Sequence, residues 1–169
     1  MVLIETFELS LDTLRRDPKL QDRLYKLTLQ YPSESYHERS ILNTDLEEVI
    51  NLVDDCSIVI GSVNKIIVGW CLLDCRDTGT KDKCWLKIYV APRYRRQGIG
   101  KAIVAHARRV AKKPIYVTPW NNSSAGFFKN VGFTKSMRSN NPWDFKQLTE
   151  EINASENASS TTEQNASCI

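Results

Sequence analysis

The chain has 169 residues, a length that implies one main domain with enough interior to form a core without disulfide or metal staples. Its 41% apolar and 25% charged residues are ordinary for a soluble globular protein, and no stretch approaches the length that crosses a bilayer. The net charge of +3 identifies no partner, but it is unevenly spread: eleven Lys and Arg lie between Lys81 and Lys113 against Asp82 alone. A basic surface facing something anionic is expected there.

VLIETFEL alternates loosely and suits a first strand. Asp17-Pro18 offers an N-cap and a first-turn proline, with Leu20, Leu24 and Leu27 on one helix face. Beyond the loop YPSESYHERS, Thr44 to Glu47 form a capping box, followed by a stripe of Leu46, Val49, Ile50 and Val53. Two strands follow, SIVIGS and IIVGWCLLDC, joined by a turn at Asn64-Lys65. The second is apolar almost throughout, as a strand covered on both faces would be. CWLKIYV is the next strand and Ala91-Pro92 ends it, because proline cannot donate to a ladder.

From Gly98 the period becomes helical, with Ile99, Ile103, His106 and Val110 expected on one face. Pro114 stops this helix, PIYVTP supplies a short strand, and NNSSAGFFKNVGF reads as a capped helix closing at Gly132. TKSMR and WDFKQL are candidate final strands. From Thr149 onward there is almost nothing to bury, so residues 149–169 are expected to be a disordered polar tail after a domain spanning 1–148. A meander followed by helical crossovers indicates a mixed sheet with helices on its faces.

The opening ten residues have no basic segment and place Glu5 inside a short apolar run, which is not how a secretion signal reads. With five cysteines and no zinc-like spacing among Cys56, Cys71, Cys75 and Cys84, the expectation is a cytoplasmic protein with free thiols, no metal and no membrane partner.

The informative unit is RYRRQGIGKAIVAH, residues 93–106. Gly98 and Gly100 let the backbone turn several N–H groups inward as an anion nest, backed by the positive end of a helix. Arg95, Arg96 and Lys101 add charge at the rim, and the arrangement suits a diphosphate. A Walker loop is excluded because Arg95 and Ala102 occupy the positions of its first glycine and its Ser or Thr. A dinucleotide fingerprint is excluded because Ile103 stands where its third glycine belongs. Binding of nucleic acid through Trp85, Tyr89 and Tyr94 is not expected as the main role, since two of these interleave with strand positions and the glycines would have no purpose.

The string IYVAPRYRRQGIGKAIV resembles the acyl-CoA loop of the GNAT superfamily of N-acetyltransferases, in which Arg or Gln, two residues, Gly, one residue, then Gly or Ala open a helix after a central strand. Arg95, Gly98 and Gly100 fill those places, and Asn121 with Gly132-Phe133 is similar to the family's downstream segment. The resemblance covers about residues 1–148. It implies an α/β (α+β) fold: a mixed, mostly antiparallel sheet, helices on both faces, and a splay after the fourth strand.

The resemblance further implies acetyl-CoA as cosubstrate and direct attack by a primary amine, which could belong to a small molecule, a peptide or an aminoacyl-tRNA. The diphosphate would sit on the amides of Arg96, Gln97, Gly98, Ile99, Gly100 and Lys101, beside Arg95. The pantetheine arm would lie along Ile88, Tyr89 and Val90 like an added strand. The Val90 amide would donate to the thioester oxygen, and Asn121 would touch the coenzyme or simply cap its helix. His37 and Glu38, with Glu34 behind them, are the candidates for the base that deprotonates the amine. Glu34, Glu38 and Asp144 would favour a cationic acceptor. His106 reads as a packed side chain. One departure stands out: Phe128 occupies the position where many family members carry a tyrosine that protonates the leaving thiolate.

Overall fold

The computed structural model describes residues 3–29, 46–47, 50, 56–76, 83–119, 121–135 and 145–147. The chain divides into two compact units, Met1–Val117 and Thr118–Ile169. The expected boundary between residues 148 and 149, and the tail beyond it, lie outside the described residues.

In the first unit, β1 (Ile4–Leu9) leads into α1 (Leu11–Arg16) and α2 (Pro18–Thr28). Pro18 opens α2, and the Asp17 carboxylate accepts the Leu20 N–H at 3.0 Å, the cap that the sequence announces. The sequence reading did not anticipate α1. It buries only Leu14, too little for a periodic signal, and its terminal carbonyls are tied down by Gln21 Nε2, which donates to Leu14 O at 2.9 Å. Leu46, Glu47 and Ile50 are helical, with Leu46 and Ile50 buried, in keeping with the capping-box segment.

β2 (Cys56–Val63), β3 (Ile66–Asp74) and β4 (Cys84–Val90) follow; β1 to β4 run antiparallel in that order. The β2–β3 turn places Asn64 and Lys65 at φ 48° and 66°, the double left-handed turn whose twist matches a hairpin. A single-turn 3-10 helix, Pro92–Tyr94, leads to α3 (Ile99–Val110) and then to β5 (Ile115–Val117), which lies parallel to β4. This five-stranded, mostly antiparallel sheet is the mixed α/β fold expected.

Strand alternation distributes the core between two faces. Ile58, Ile60, Trp70, Leu72 and Tyr89 pack with Leu14, Leu24 and Leu27 of the first helices. The opposite face receives α3, where Gly61 and Gly69 are cross-strand partners. A Cβ at Gly61 would stand 2.7 Å from Ile103 Cδ1, and one at Gly69 would stand 2.7 Å from the Tyr89 carbonyl oxygen and 3.1 Å from Ile103 Cδ1. The two glycines thus form a notch that seats Ile103 and draws α3 close to the sheet. The buried face of α3 is Ile99, Ile103, Val104 and Ala107. This corrects the expected face: His106 and Val110 lie on its half-buried flank. His106 Nδ1 lies 3.1 Å from Thr6 Oγ1 and 3.3 Å from Arg109 Nη2, a packed and hydrogen-bonded side chain.

The expectation of free thiols fails at one pair. Cys75 and Cys84 form a disulfide, with Cα atoms 4.2 Å apart. The β3–β4 register, which pairs Asp74 with Trp85, carries Cys75 directly opposite Cys84 one step later. Neither residue type nor spacing reveals that register. A disulfide also sits uneasily with the reducing setting expected of the thiols. Cys56 and Cys71 remain free and buried. Beside the bridge, Arg76 grips Asp74 through two donors, at 2.9 and 2.6 Å. Burial alone would raise the Asp74 pKa, but hydrogen bonds and charge from Arg76 outweigh it and hold the carboxyl below its ordinary value.

In the second unit, α4 (Asn122–Asn130) precedes the antiparallel pair β6 (Phe133–Lys135) and β7 (Phe145–Gln147). Gly132, at φ 89°, supplies the left-handed residue at the exit of α4.

Closing so short a loop by a covalent bridge is worth about 2–3 kcal/mol. Reduction, or the double substitution Cys75→Ala with Cys84→Ala, should lower Tm by roughly 5–10 °C in calorimetry. Gly69→Ala should cost about 1–3 kcal/mol in urea unfolding, because a rigid backbone carbonyl blocks the new methyl.

Candidate active site

The glycine loop carries two left-handed residues, Arg96 at φ 60° and Gly98 at φ 84°. For arginine this conformation costs roughly 1 kcal/mol, whereas Gly98 adopts it freely. Alternation of left- and right-handed residues turns successive amides to one side, as an anion nest requires. Gly98 is the N-cap of α3, and no side chain caps that end. The first intrahelical bond runs from Ala102 N to Gly98 O at 3.0 Å, so the Ile99, Gly100 and Lys101 amides precede the first closed turn. No acid occupies that turn. By contrast, a capping box closes the start of α4: the Asn121 side chain accepts the Ser124 N–H at 2.9 Å, and Ser124 Oγ accepts the Asn121 N–H at 3.0 Å.

Within the described residues of the first unit, the outer edge at the end of β4 is open as well. Ala91 N donates to Val68 O at 2.9 Å, and bonded pairs alternate along an antiparallel ladder. Gly69–Val90 is therefore a non-bonded pair, and Val90, Ile88, Leu86 and Cys84 turn their N–H and C=O groups away from β3. The other end of the strand agrees: Cys84 N donates to Pro114 O at 2.9 Å, on the β5 side. The β4–β5 pairing consists of Cys84–Ile115 and Trp85–Tyr116 and β5 ends at Val117, so Ile88 and Val90 extend beyond it with no β5 partner. That is the splay. Its edge presents the Ile88 and Val90 amides beside the uncapped start of α3.

Of the residues singled out in the sequence, Ile88, Val90 and the loop from Arg95 to Lys101 come together in the first unit. Tyr89 differs: its backbone turns to Trp70 of β3 and its ring is buried. Asn121 and Phe128 belong to the second unit, where Phe128 is buried edge-to-face between Phe127 and Phe133, at centroid distances of 5.1 and 5.4 Å. His37, Glu38, Glu34 and Asp144 lie outside the described residues. Burial pushes the thiols of Cys56 and Cys71 up to about 12, which removes both as nucleophiles at neutral pH.

Two features escaped the sequence reading. The Gly61–Gly69 notch that seats α3 becomes visible only once register is known. The Arg95 guanidinium also turns back onto its own strand, with Nε donating to Val90 O at 2.9 Å.

Among solved structures, the PaiA N-acetyltransferase of Thermoplasma acidophilum, determined in complex with coenzyme A, is similar at a TM-score of 0.59 and 16% identity, over 86% of this chain and 98% of that one. An acyl-CoA N-acyltransferase from Pseudomonas aeruginosa aligns at a TM-score of 0.63 and 13% identity, over 86% and 100%. The GNAT domain of S. lividans PAT aligns at 0.61 and 17%, over 85% and 88%. No curated protein matches by sequence. No helix among the described residues is long and apolar enough to cross a membrane. The family model for the acetyltransferase (GNAT) family matches residues 21–133, more than half of the chain. With the splayed sheet and glycine-hinged helix on which that match falls, the chain belongs to the GNAT acetyltransferase family.

Proposed function

We propose that the protein transfers an acetyl group from acetyl-CoA to a primary amine, by direct attack while both substrates are bound. The observation that carries this reading is two sets of outward amides in one unit, those of Ile88 and Val90 on the edge of β4 and those at the uncapped N-terminus of α3. The amides of Arg96 to Lys101 hold the diphosphate, and Arg96 and Lys101 add charge at the rim. The pantetheine arm lies along Ile88–Val90 as an added strand, and the amides of Ile88 and Val90 serve the arm and the thioester oxygen between them. A negative charge grows on that oxygen during attack, so a fixed N–H there lowers the barrier more than it stabilises the bound substrate. The relative solved with coenzyme A supports the choice of cosubstrate.

The amine is protonated at neutral pH, and His37 or Glu38 is proposed as its base. The departing thiol has a reference pKa of about 8.5 and needs little assistance. That matters because Phe128 has no proton to give. The domain is proposed to occupy 1–148, ahead of a polar tail at 149–169.

Phe128 also favours a second reading, a coenzyme-binding module with little transfer: the place of a proton donor is taken by a buried ring packed between two others.

Acetyl-CoA at about a hundred times its Kd should raise Tm by roughly 5–10 °C, and Gly98→Glu with Gly100→Glu should abolish the rise. No rise in the wild type would defeat both readings. Thiol release followed over lysine peptides, N-terminal peptides, polyamines, aminoglycosides and aminoacyl-tRNA then separates enzyme from module. Phe128→Tyr is expected to speed turnover several-fold while lowering Tm by a few degrees. Unchanged turnover would mean that the proton comes from elsewhere.

A further inference from the structure

The cations around the loop are not equivalent. Arg93 lies over the ring of its neighbour Tyr94, with Cζ 4.8 Å from the centroid. Arg95 Nε donates to Val90 O at 2.9 Å. Among the described residues, Arg96 and Lys101 make no comparable internal bond and are exposed. Charge is therefore divided between side chains committed to the protein and side chains left for an anion.

The bond from Arg95 falls at a telling place. Val90 is the last residue of β4, and its N–H and C=O both point away from β3 into the splay. One residue later the chain leaves the sheet through a 3-10 turn, held by Tyr94 N donating to Ala91 O at 2.9 Å and Arg95 N donating to Pro92 O at 3.2 Å. A strand end with a free outer edge frays easily, because nothing on that side fixes its peptide planes. Arg95 closes the turn back onto the strand and claims the outer carbonyl. The adjacent amide is left as the donor of that residue facing the gap.

We propose that Arg95 is a positioning residue for the transfer reaction and not a ligand of the diphosphate: its guanidinium holds the last turn of β4 extended and aims the Ile88 and Val90 amides into the splay. The inference rests on the acetyl-CoA reading above and extends it. It also assigns diphosphate charge recognition to Arg96 and Lys101. What Arg95 supplies is a planar N–H donor at a given reach, so a neutral side chain carrying such a donor should replace it better than a cation without that geometry.

The test compares Arg95→Met, Arg95→Gln and Arg95→Lys with Arg96→Gln and Lys101→Gln. Three measurements are made: kcat with acetyl-CoA, Kd for adenosine diphosphate as a probe of the diphosphate seat, and amide hydrogen exchange at Ala91 without ligand. Arg95→Met should lower kcat about tenfold, leave the Kd for adenosine diphosphate within twofold, and speed exchange at Ala91 several-fold. Arg95→Gln should recover most of these losses and Arg95→Lys should not. Arg96→Gln and Lys101→Gln should each weaken adenosine diphosphate five- to tenfold.

The proposal is overturned if Arg95→Gln weakens adenosine diphosphate as much as Arg96→Gln does while Arg95→Lys behaves as wild type. An unchanged kcat in Arg95→Met, or unchanged exchange at Ala91, overturns it equally. If the wild-type protein binds neither coenzyme A nor adenosine diphosphate, it is the coenzyme reading that falls, and exchange at Ala91 alone then decides whether the strut exists.

Discussion

An antiparallel ladder bonds its residues in alternate pairs, and the β3–β4 ladder of this chain ends on the phase that leaves Val90 facing outward. A shift of one residue would turn that amide into the sheet, bury Lys87 and Trp85 on the wrong face and set the loop on the opposite side. The phase is held by what packs on each face. Trp70 and Tyr89 lie in the core on one face, and the glycine notch receives Ile103 on the other. The candidate site is the part of the β4 edge beyond its pairing with β5, and the core determines which groups that edge presents.

The helix that follows contributes through how it starts. α4 spends side chains on two of its first amides, those of Asn121 and Ser124, whereas α3 has a left-handed glycine at its N-cap and no side-chain cap. A helix that starts on glycine is less stable, by a few tenths of a kcal/mol, than one capped by a polar side chain. Here that deficit accompanies a strained Arg96, and both lie within three residues. Both features fall in the loop proposed to seat the coenzyme diphosphate.

Much of this was legible in the residues. The switch from strand to helix at Gly98, the proline after Val90 and the glycine pair are local signals, and the strand–loop–helix unit they predict is present. The cap at Asn121 and the turn at Asn64-Lys65 were legible for the same reason. The miss at α1 follows from having one buried side chain in six residues, which leaves no period to detect. The α3 face was misassigned by a fraction of a turn: from Ile103 the i+3 and i+7 steps lead to His106 and Val110, whereas the i+1 and i+4 positions, Val104 and Ala107, are the buried ones. The Gly61–Gly69 notch, the Cys75–Cys84 bridge and the return of Arg95 to Val90 depend on which residues stand opposite one another. No spacing rule along a single strand contains that information.

The bridge between Cys75 and Cys84 ties β3 to β4 at the end where β4 still holds β5. Because the bond exists in two chemical forms that differ by two hydrogens, any purified sample keeps a record of the compartment and the handling it came from. Batches prepared with and without thiol would be chemically distinct molecules of identical sequence, and comparisons between laboratories would have to match that history before matching anything else.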